Sequence, residues 1–371
     1  MPNIYIELLR AIEAGEQLAL ATLIETKGST PQITGASALF SPAGLIAGTL
    51  GGGLIEAEGQ DRAMLALQSG ESQLFVGELM SDIDDQEGAI CGGAAMVLID
   101  VHPVRHAGAF REMAGTLDAE LSGALLTFIG RNAGENVLIE RHWVTASEGA
   151  LHGDSESLRT HGEEIFEAIT KRKPVTLRIE TLSAAHALFS EKPPQEALTD
   201  ILLYVEPAYP LPQLIITGAG HVGRSLAHYG KLLEFEVTVI DDRPELACRE
   251  NIPDADHFIV SDIGDAVKGL TLRPNTYIVI VNRGHRGDAE ALRECIASEA
   301  AYIGMIGSKR KIGQMRAKFL EKGWCTAEQF DSIHAPVGLS IDAKTVEEIG
   351  ICIAAELVAE RRKRLRGEKA P

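Results

Sequence analysis

Residues 213–241 read as strand, glycine loop, helix, strand and acid in that order, and few folds accommodate such a succession. The apolar run QLIITG (213–218) leads straight into Gly218-Ala219-Gly220-His221-Val222-Gly223, a GxGxxG loop. Such a loop needs its first glycine for a tight turn and its second so that backbone can approach a pyrophosphate. The third lets the helix pack closely on the strand. A helix beginning at His221 turns free backbone N–H groups toward that phosphate. The next apolar run, EVTVID (236–241), ends on Asp241, about 20 residues past the glycines, where an acid accepts from a ribose 2′-hydroxyl. Arg243 follows closely, which keeps a 2′-phosphate open as well. GxGxxG alone is a weak signal; in this setting it specifies a nucleotide-binding Rossmann fold, with NAD(P) as the expected cofactor. The competing reading is a Rossmann fold whose site is vestigial or serves another nucleotide-bearing ligand.

The same register continues to the end of the chain. Runs at 257–260, 277–282, 302–306 and 332–334 alternate with helical stretches, as in a parallel sheet covered on both faces. Upstream the pattern differs. Strand-like runs at 18–25, 35–42, 45–50, 94–101, 123–130, 136–144, 175–181 and 200–206 are mixed with helices near 54–68 and 157–172 without regular alternation, which indicates α+β architecture. Ser41-Pro42-Ala43-Gly44 predicts a hairpin between the second and third of these runs. Pro207, Pro210 and Pro212 mark the break, since three prolines in six residues cannot continue a helix or a central strand. The expected organisation is therefore α/β overall: an N-terminal α+β domain (1–206), a Pro-rich linker (207–212), and a C-terminal Rossmann-like, doubly wound parallel sheet (213–371). A length of 371 residues suits two domains.

Charge excludes several function classes. Lys and Arg number 35 against 53 Asp and Glu, a net charge of −18, so no broad basic face exists for nucleic acid or an anionic membrane. The one dense basic run, Arg361 to Arg364, ends a predicted helix, where cations complement its dipole. No run is long and apolar enough to span a bilayer, and the first residues read as an amphipathic helix capped by Asn3 rather than as a signal peptide. Five cysteines without CxxC spacing form neither a disulfide framework nor a zinc site, and a reduced, cytoplasmic protein is expected.

Several loops carry candidate chemistry. Asn282 to Asp288 follows the fourth strand of the Rossmann region, and His285 with Asp288 either relays a proton or binds a metal, or else Asp288 merely caps a helix. Ser308, Lys309, Arg310 and Lys311 place a hydroxyl and three cations at a helix start; cations there oppose the dipole, which favours an anion site. In the N-terminal region, Lys27-Gly28-Ser29-Thr30-Pro31 closes the first strand, and Gly51, Gly52 and Gly53 precede a helix carrying Glu56 and Glu58. Three glycines at a helix N-terminus form an N–H concavity suited to an oxyanion, although flexible turns share that composition. Cys91, flanked by Gly92 and Gly93, is a candidate soft ligand, sulfur acceptor or nucleophile. Cys248, Cys295, Cys325 and Cys352 read as buried small hydrophobes.

Together these motifs resemble the xanthine dehydrogenase accessory factor family (XdhC/CoxI). The resemblance runs through KGSTPQITGASALF, GGGLIE, CGGAAMVLIDV, IITGAGHVG, VIDDRP, RGHRGD, AYIGMIGSKRK and IHAPVGLSIDAKTVEEIGICIAAELVAER. It implies a protein that binds molybdenum cofactor (molybdopterin) and delivers it, sulfurated, to a molybdenum hydroxylase of the xanthine dehydrogenase type. A cysteine desulfurase and a second copy of the chain are the other implied partners. Ser29, Thr30, Gly51 to Gly53, Glu56 and Cys91 would then face the cofactor, with Cys91 contacting molybdenum. Gly218, Gly220, His221 and Gly223 would form the nucleotide loop. One departure stands out: many members carry cysteine where this chain has Leu54, so Cys91 is left as the only motif thiol of the first domain. The rival reading is an NAD(P)-dependent oxidoreductase acting at the Rossmann site, with His285 as acid or base.

Overall fold

The computed structural model describes residues 3–28, 30, 32–79, 93–132, 134, 136–147, 149–153, 157–179 and 198–365. The chain divides into two compact units, Met1–Pro210 and Leu211–Pro371.

The first unit contains two five-stranded antiparallel sheets. One has the order β3-β2-β1-β5-β4, from β1 (Ala19–Lys27), β2 (Ser37–Ser41), β3 (Gly44–Gly48), β4 (Gln73–Leu79) and β5 (Gly93–Asp100). The other has the order β8-β7-β6-β10-β9, from β6 (Ser122–Asn132), β7 (Val137–Ser147), β8 (Ala150–His152), β9 (Val175–Arg178) and β10 (Leu198–Ala208). Period-two alternation sorts the side chains of β1: Ala19, Ala21 and Leu23 pack with α2 (Gly53–Ser69), while Leu20, with Leu18 just before the strand, packs with α1 (Asn3–Glu13) and α3 (Ala107–Asp118). The sheet is thus apolar on both faces. In the second sheet Leu126, Phe128, Leu203 and Val205 pack with Ile165, Ala168 and Ile169 of α4 (Ser157–Lys171). The hairpin expected at Ser41–Gly44 forms, with β2 and β3 antiparallel.

The break at Pro207 falls later than its proline content suggests, because β10 continues through it to Ala208. Ile201 accepts from the Ile179 N–H, so odd-numbered residues of β10 direct their backbone polar groups toward β9. The β9 pairing ends opposite Val205, so at Pro207 the missing N–H costs no ladder bond.

The first unit buries polar groups along with its apolar core. Arg141 of β7 pairs with Asp100 of β5, their side chains 2% and 1% exposed, and the Tyr5 hydroxyl of α1 donates to Glu206 of β10 at 2.6 Å. Burial pushes the Glu206 carboxyl up to about 7, against the partial opposition of Tyr5 and Arg141.

The second unit is a parallel sheet of order β13-β12-β11-β14-β15, from β11 (Gln213–Thr217), β12 (Glu236–Asp241), β13 (His257–Val260), β14 (Thr276–Ile280) and β15 (Tyr302–Met305). One face buries Leu214, Ile216, Val237 and Val239 with α5 (His221–Leu232) and with a later helix, α10 (Val346–Leu365). The other buries Ile215, Ile240, Ile278 and Ile280 with α6 (Ile263–Lys268), α7 (His285–Cys295), α8 (Lys309–Glu321) and α9 (Ala327–Asp331). Strands covered on both faces account for the unbroken Val/Ile runs. The strand expected at 332–334 shrinks to a single bridge between Gly304 and His334. α10 starts with the predicted capping box, Glu348 N–H to Thr345 Oγ1 at 3.2 Å and Thr345 N–H to a Glu348 carboxylate oxygen at 2.9 Å. Its basic end does more than complement a dipole: Arg361 donates to the Leu233 carbonyl at 2.8 Å and Arg364 to the Ala301 carbonyl at 3.0 Å.

In the folded protein Glu206 keeps its proton up to about pH 7, whereas its ordinary value is 4.5. The stability it contributes is therefore complete below pH 4.5 and lost as pH rises through 7. Thermal midpoints across this range should fall for the wild type relative to Glu206→Gln; parallel curves would refute the assignment.

Candidate functional site

In the first unit the glycine loop forms as an N–H concavity, with Gly51, Gly52 and Gly53 all at positive φ (109°, 76° and 61°), conformations that side-chain-bearing residues rarely adopt. Its negative partner comes from the chain itself. Glu56, one turn into α2, folds back so that one carboxylate oxygen accepts from Leu50 N–H at 3.1 Å, Gly52 N–H at 2.9 Å and the Thr49 hydroxyl. The Thr49 hydroxyl and the Gly52 N–H hold the Glu56 carboxyl below the usual carboxylate range. Gly52, the residue that caps α2, makes no side-chain cap, so Glu56 does the capping. Leu54 is 52% exposed at the second position of α2. The Thr30 hydroxyl donates to the Gln32 carbonyl at 2.6 Å. Ser29 and Cys91 lie outside the described residues.

In the second unit each glycine of the loop has a distinct reason. A Cβ on Gly223 would stand 1.9 Å from the Gly218 carbonyl oxygen, and one on Gly218 would stand 2.6 Å from that of Val281. Gly220 faces open space, where a ligand backbone approach is unobstructed. It caps α5 without any side-chain hydrogen bond, and His221 is exposed at the first helical position. Asp241, expected to accept from a ribose hydroxyl, reaches the loop and accepts from the Ala219 N–H at 2.7 Å. Burial would raise its carboxyl, but hydrogen bonds from Arg243 and Ala219 outweigh that and hold it low.

The other two loops meet at the carboxyl edge of the sheet, where strand order reverses between β11 and β14. Asp288, in the first turn of α7, is fully buried and pairs with Lys311 of α8 at 2.5 Å. Burial pushes its carboxyl up, opposed in part by Lys311 and Asn282. Asn282 donates to Thr217 Oγ1 at 3.0 Å, which extends the polar cluster to the end of β11. Asp288 therefore does more than cap a helix. Lys311 was visible in the sequence only as one of three cations; the partner that distinguishes it lies 23 positions away. Asn282 and Thr217 carried no sequence signal beyond their place at strand ends. Ser308 caps α8, accepting from Lys311 N–H at 3.3 Å, while Lys309 and Arg310 are exposed beside it. His285 opens α7. Of the other cysteines, Cys295 and Cys352 are buried as expected, but Cys248 and Cys325 are partly exposed, so the hydrophobe reading holds for two of the four. Among the described residues no group of His, Cys, Asp and Glu is arranged to hold a metal, and no helix is long and apolar enough to cross a membrane.

The family model described as the XdhC Rossmann domain matches residues 214–357, and that of the XdhC and CoxI family matches residues 11–77. The chain belongs to the XdhC and CoxI family. Over 357 residues it is 25% identical to the Escherichia coli protein YqeB, covering 96% of this chain but only 46% of that protein. It is 26% identical to a Bacillus subtilis protein whose name makes it a probable part of xanthine dehydrogenase, covering 98% and 99% of the two chains. A crystal structure described as a xanthine dehydrogenase from Bacillus halodurans superposes with a TM-score of 0.72 at 26% identity, over 97% and 96% of the two chains. A glycine loop with a downstream acid thus occurs in both units, with the acid turned inward in each.

The glycines separate packing from ligand access. Gly223→Ala should destabilise the protein by several kcal/mol, on the order of an overpacked core site, because backbone must move. Gly220→Ala should leave the melting temperature within about 1 °C, a surface-like effect. Equal losses in thermal denaturation would contradict this division.

Proposed function

We propose that this chain is an accessory factor for a molybdenum hydroxylase of the xanthine dehydrogenase type. It takes molybdenum cofactor as cargo, assists its sulfuration by a cysteine desulfurase, and assists its insertion into the hydroxylase, in the cytoplasm and as a homodimer. The observation that carries the reading is the coincidence of family matches in both units with an end-to-end likeness to a protein named for xanthine dehydrogenase. Cys91 is the residue assigned to contact molybdenum or its sulfur, since Leu54 leaves that sequence region without a second thiol. Gly51 to Gly53 and Glu56 are assigned to the cargo site as well, and a cargo phosphate entering there exchanges with the Glu56 carboxylate.

A second reading rests on the buried Asp288–Lys311 pair at the carboxyl edge of the parallel sheet, the place where α/β enzymes keep reactive groups. It makes the protein an NAD(P)-dependent oxidoreductase with His285 as acid or base. The filled acceptor positions of Asp241 weigh against it.

Anaerobic titration of molybdenum cofactor should show stoichiometric binding by the wild type and at least about a tenfold loss for Cys91→Ala. Absence of binding by both, with clear NAD(P) binding, would replace the accessory reading with the redox one. Light scattering at micromolar concentration should give twice the chain mass of 39.8 kDa; a monomeric mass would refute the dimer.

A further inference from the structure

The second unit has the loop of a dinucleotide site, so its residues can be tested against that ligand. The glycines fit: Gly218 and Gly223 leave no room for a Cβ, and Gly220 opens onto free space. The acid does not fit. Asp241 is 2% exposed and both of its oxygens are already used. Oδ1 accepts from the Arg243 N–H at 3.0 Å and from Arg243 Nε at 2.7 Å. Oδ2 accepts from the Ala219 N–H at 2.7 Å and from Arg243 Nη2 at 2.8 Å. A carboxylate has about four acceptor positions, and four donors occupy them here. Two belong to one guanidinium in the bidentate, charge-assisted geometry that binds carboxylates most firmly.

A ribose brought to the end of β12 therefore meets an acid with no lone pair to offer. A 2′-phosphate fares no better. The charge of Arg243 is spent on Asp241, and Asp242, 72% exposed, lies 3.8 Å from Arg243 Nε. Glu245 adds a further negative charge to the surroundings of the guanidinium. Three carboxylates thus surround one cation, which disfavours an extra phosphate.

We infer that Arg243 is the specificity-determining residue of the second unit: its fork on Asp241 closes the ribose subsite to both NAD(H) and NADP(H). The loop itself does not depend on the fork. With the guanidinium removed, Asp241 still accepts from the backbone N–H groups of Ala219 and residue 243, so the loop between β11 and α5 keeps its tie to the end of β12. What changes is that one acceptor position on each oxygen becomes vacant. A ribose hydroxyl bonding to a charged acceptor is worth enough to raise affinity about tenfold or more.

The experiment is calorimetric titration of the full chain with NADH and, separately, with NADPH, for wild type, Arg243→Ala and Arg243→Met. The methionine variant keeps the aliphatic stem in case alanine impairs folding. Both variants should bind NADH at least about tenfold more tightly than wild type, and adding Asp241→Asn should remove the gain. NADPH should not gain, because the freed Asp241 would face its 2′-phosphate. Wild-type NADH affinity equal to that of the folded variants would overturn the inference, as would an equal gain for NADPH. Failure of wild type and variants alike to bind NADH would overturn it too.

Discussion

In each unit a carboxylate of the chain itself holds the glycine loop by accepting from its backbone N–H groups. In the first unit the partner is Glu56, whose carboxylate sits over Leu50 and Gly52. In the second it is Asp241, which reaches the glycine loop through Ala219 while gripping Arg243. Each carboxylate lies close in sequence to the loop it serves or at the end of the adjacent strand, so the anion is supplied at little entropic cost. The loops are held in shape before any ligand arrives. In the first unit an incoming anion must therefore compete with a carboxylate already hydrogen-bonded.

The same economy governs the interiors. Arg141 and Asp100 are both nearly inaccessible, and so is Asp288, but each has its counter-charge in direct contact. Removing either member of such a pair exposes the other to an apolar medium without compensation, a loss on the order of 3–5 kcal/mol. At Glu206 the problem is solved differently: burial keeps the carboxyl protonated near neutral pH, with the Tyr5 hydrogen bond opposing it only in part. Arg141 ties strand β7 to strand β5 across the two sheets of the first unit, and Lys311 ties α8 to α7 in the second. These links join elements far apart in the chain.

Much was legible from the chain alone wherever the signal was local. β12 and β13 fall at the residues their apolar runs predict, and the Thr345–Glu348 box begins α10 as written. Gly218 and Gly223 leave no room for a Cβ, in keeping with the turn and packing duties read from their spacing, and Gly220 opens onto free space. The misreadings share one cause. Pro207 looked like a stop because the sequence cannot show that β9 has ended beside it, and 332–334 looked like a strand because one bridge and a full ladder have the same apolar signature. β4 and α3 are not among the elements expected from the sequence, although Phe110, Met113 and Leu117 repeat at helical spacing along α3.

By itself, then, the sequence determined the class of each unit, the position of the glycine loops and the presence of acids near them, because periodicity, turn chemistry and helix capping act over a few residues. Only the tertiary structure decided what those acids do. Whether Glu56 and Asp241 point outward to a ligand or inward to backbone depends on where Gly52, Ala219 and Arg243 come to rest. Whether Lys311 is one surface cation among three or the partner of a buried carboxylate depends on how α8 packs against α7. Such choices turn on distances of a few ångströms between side chains, and spacing along a chain does not carry that information.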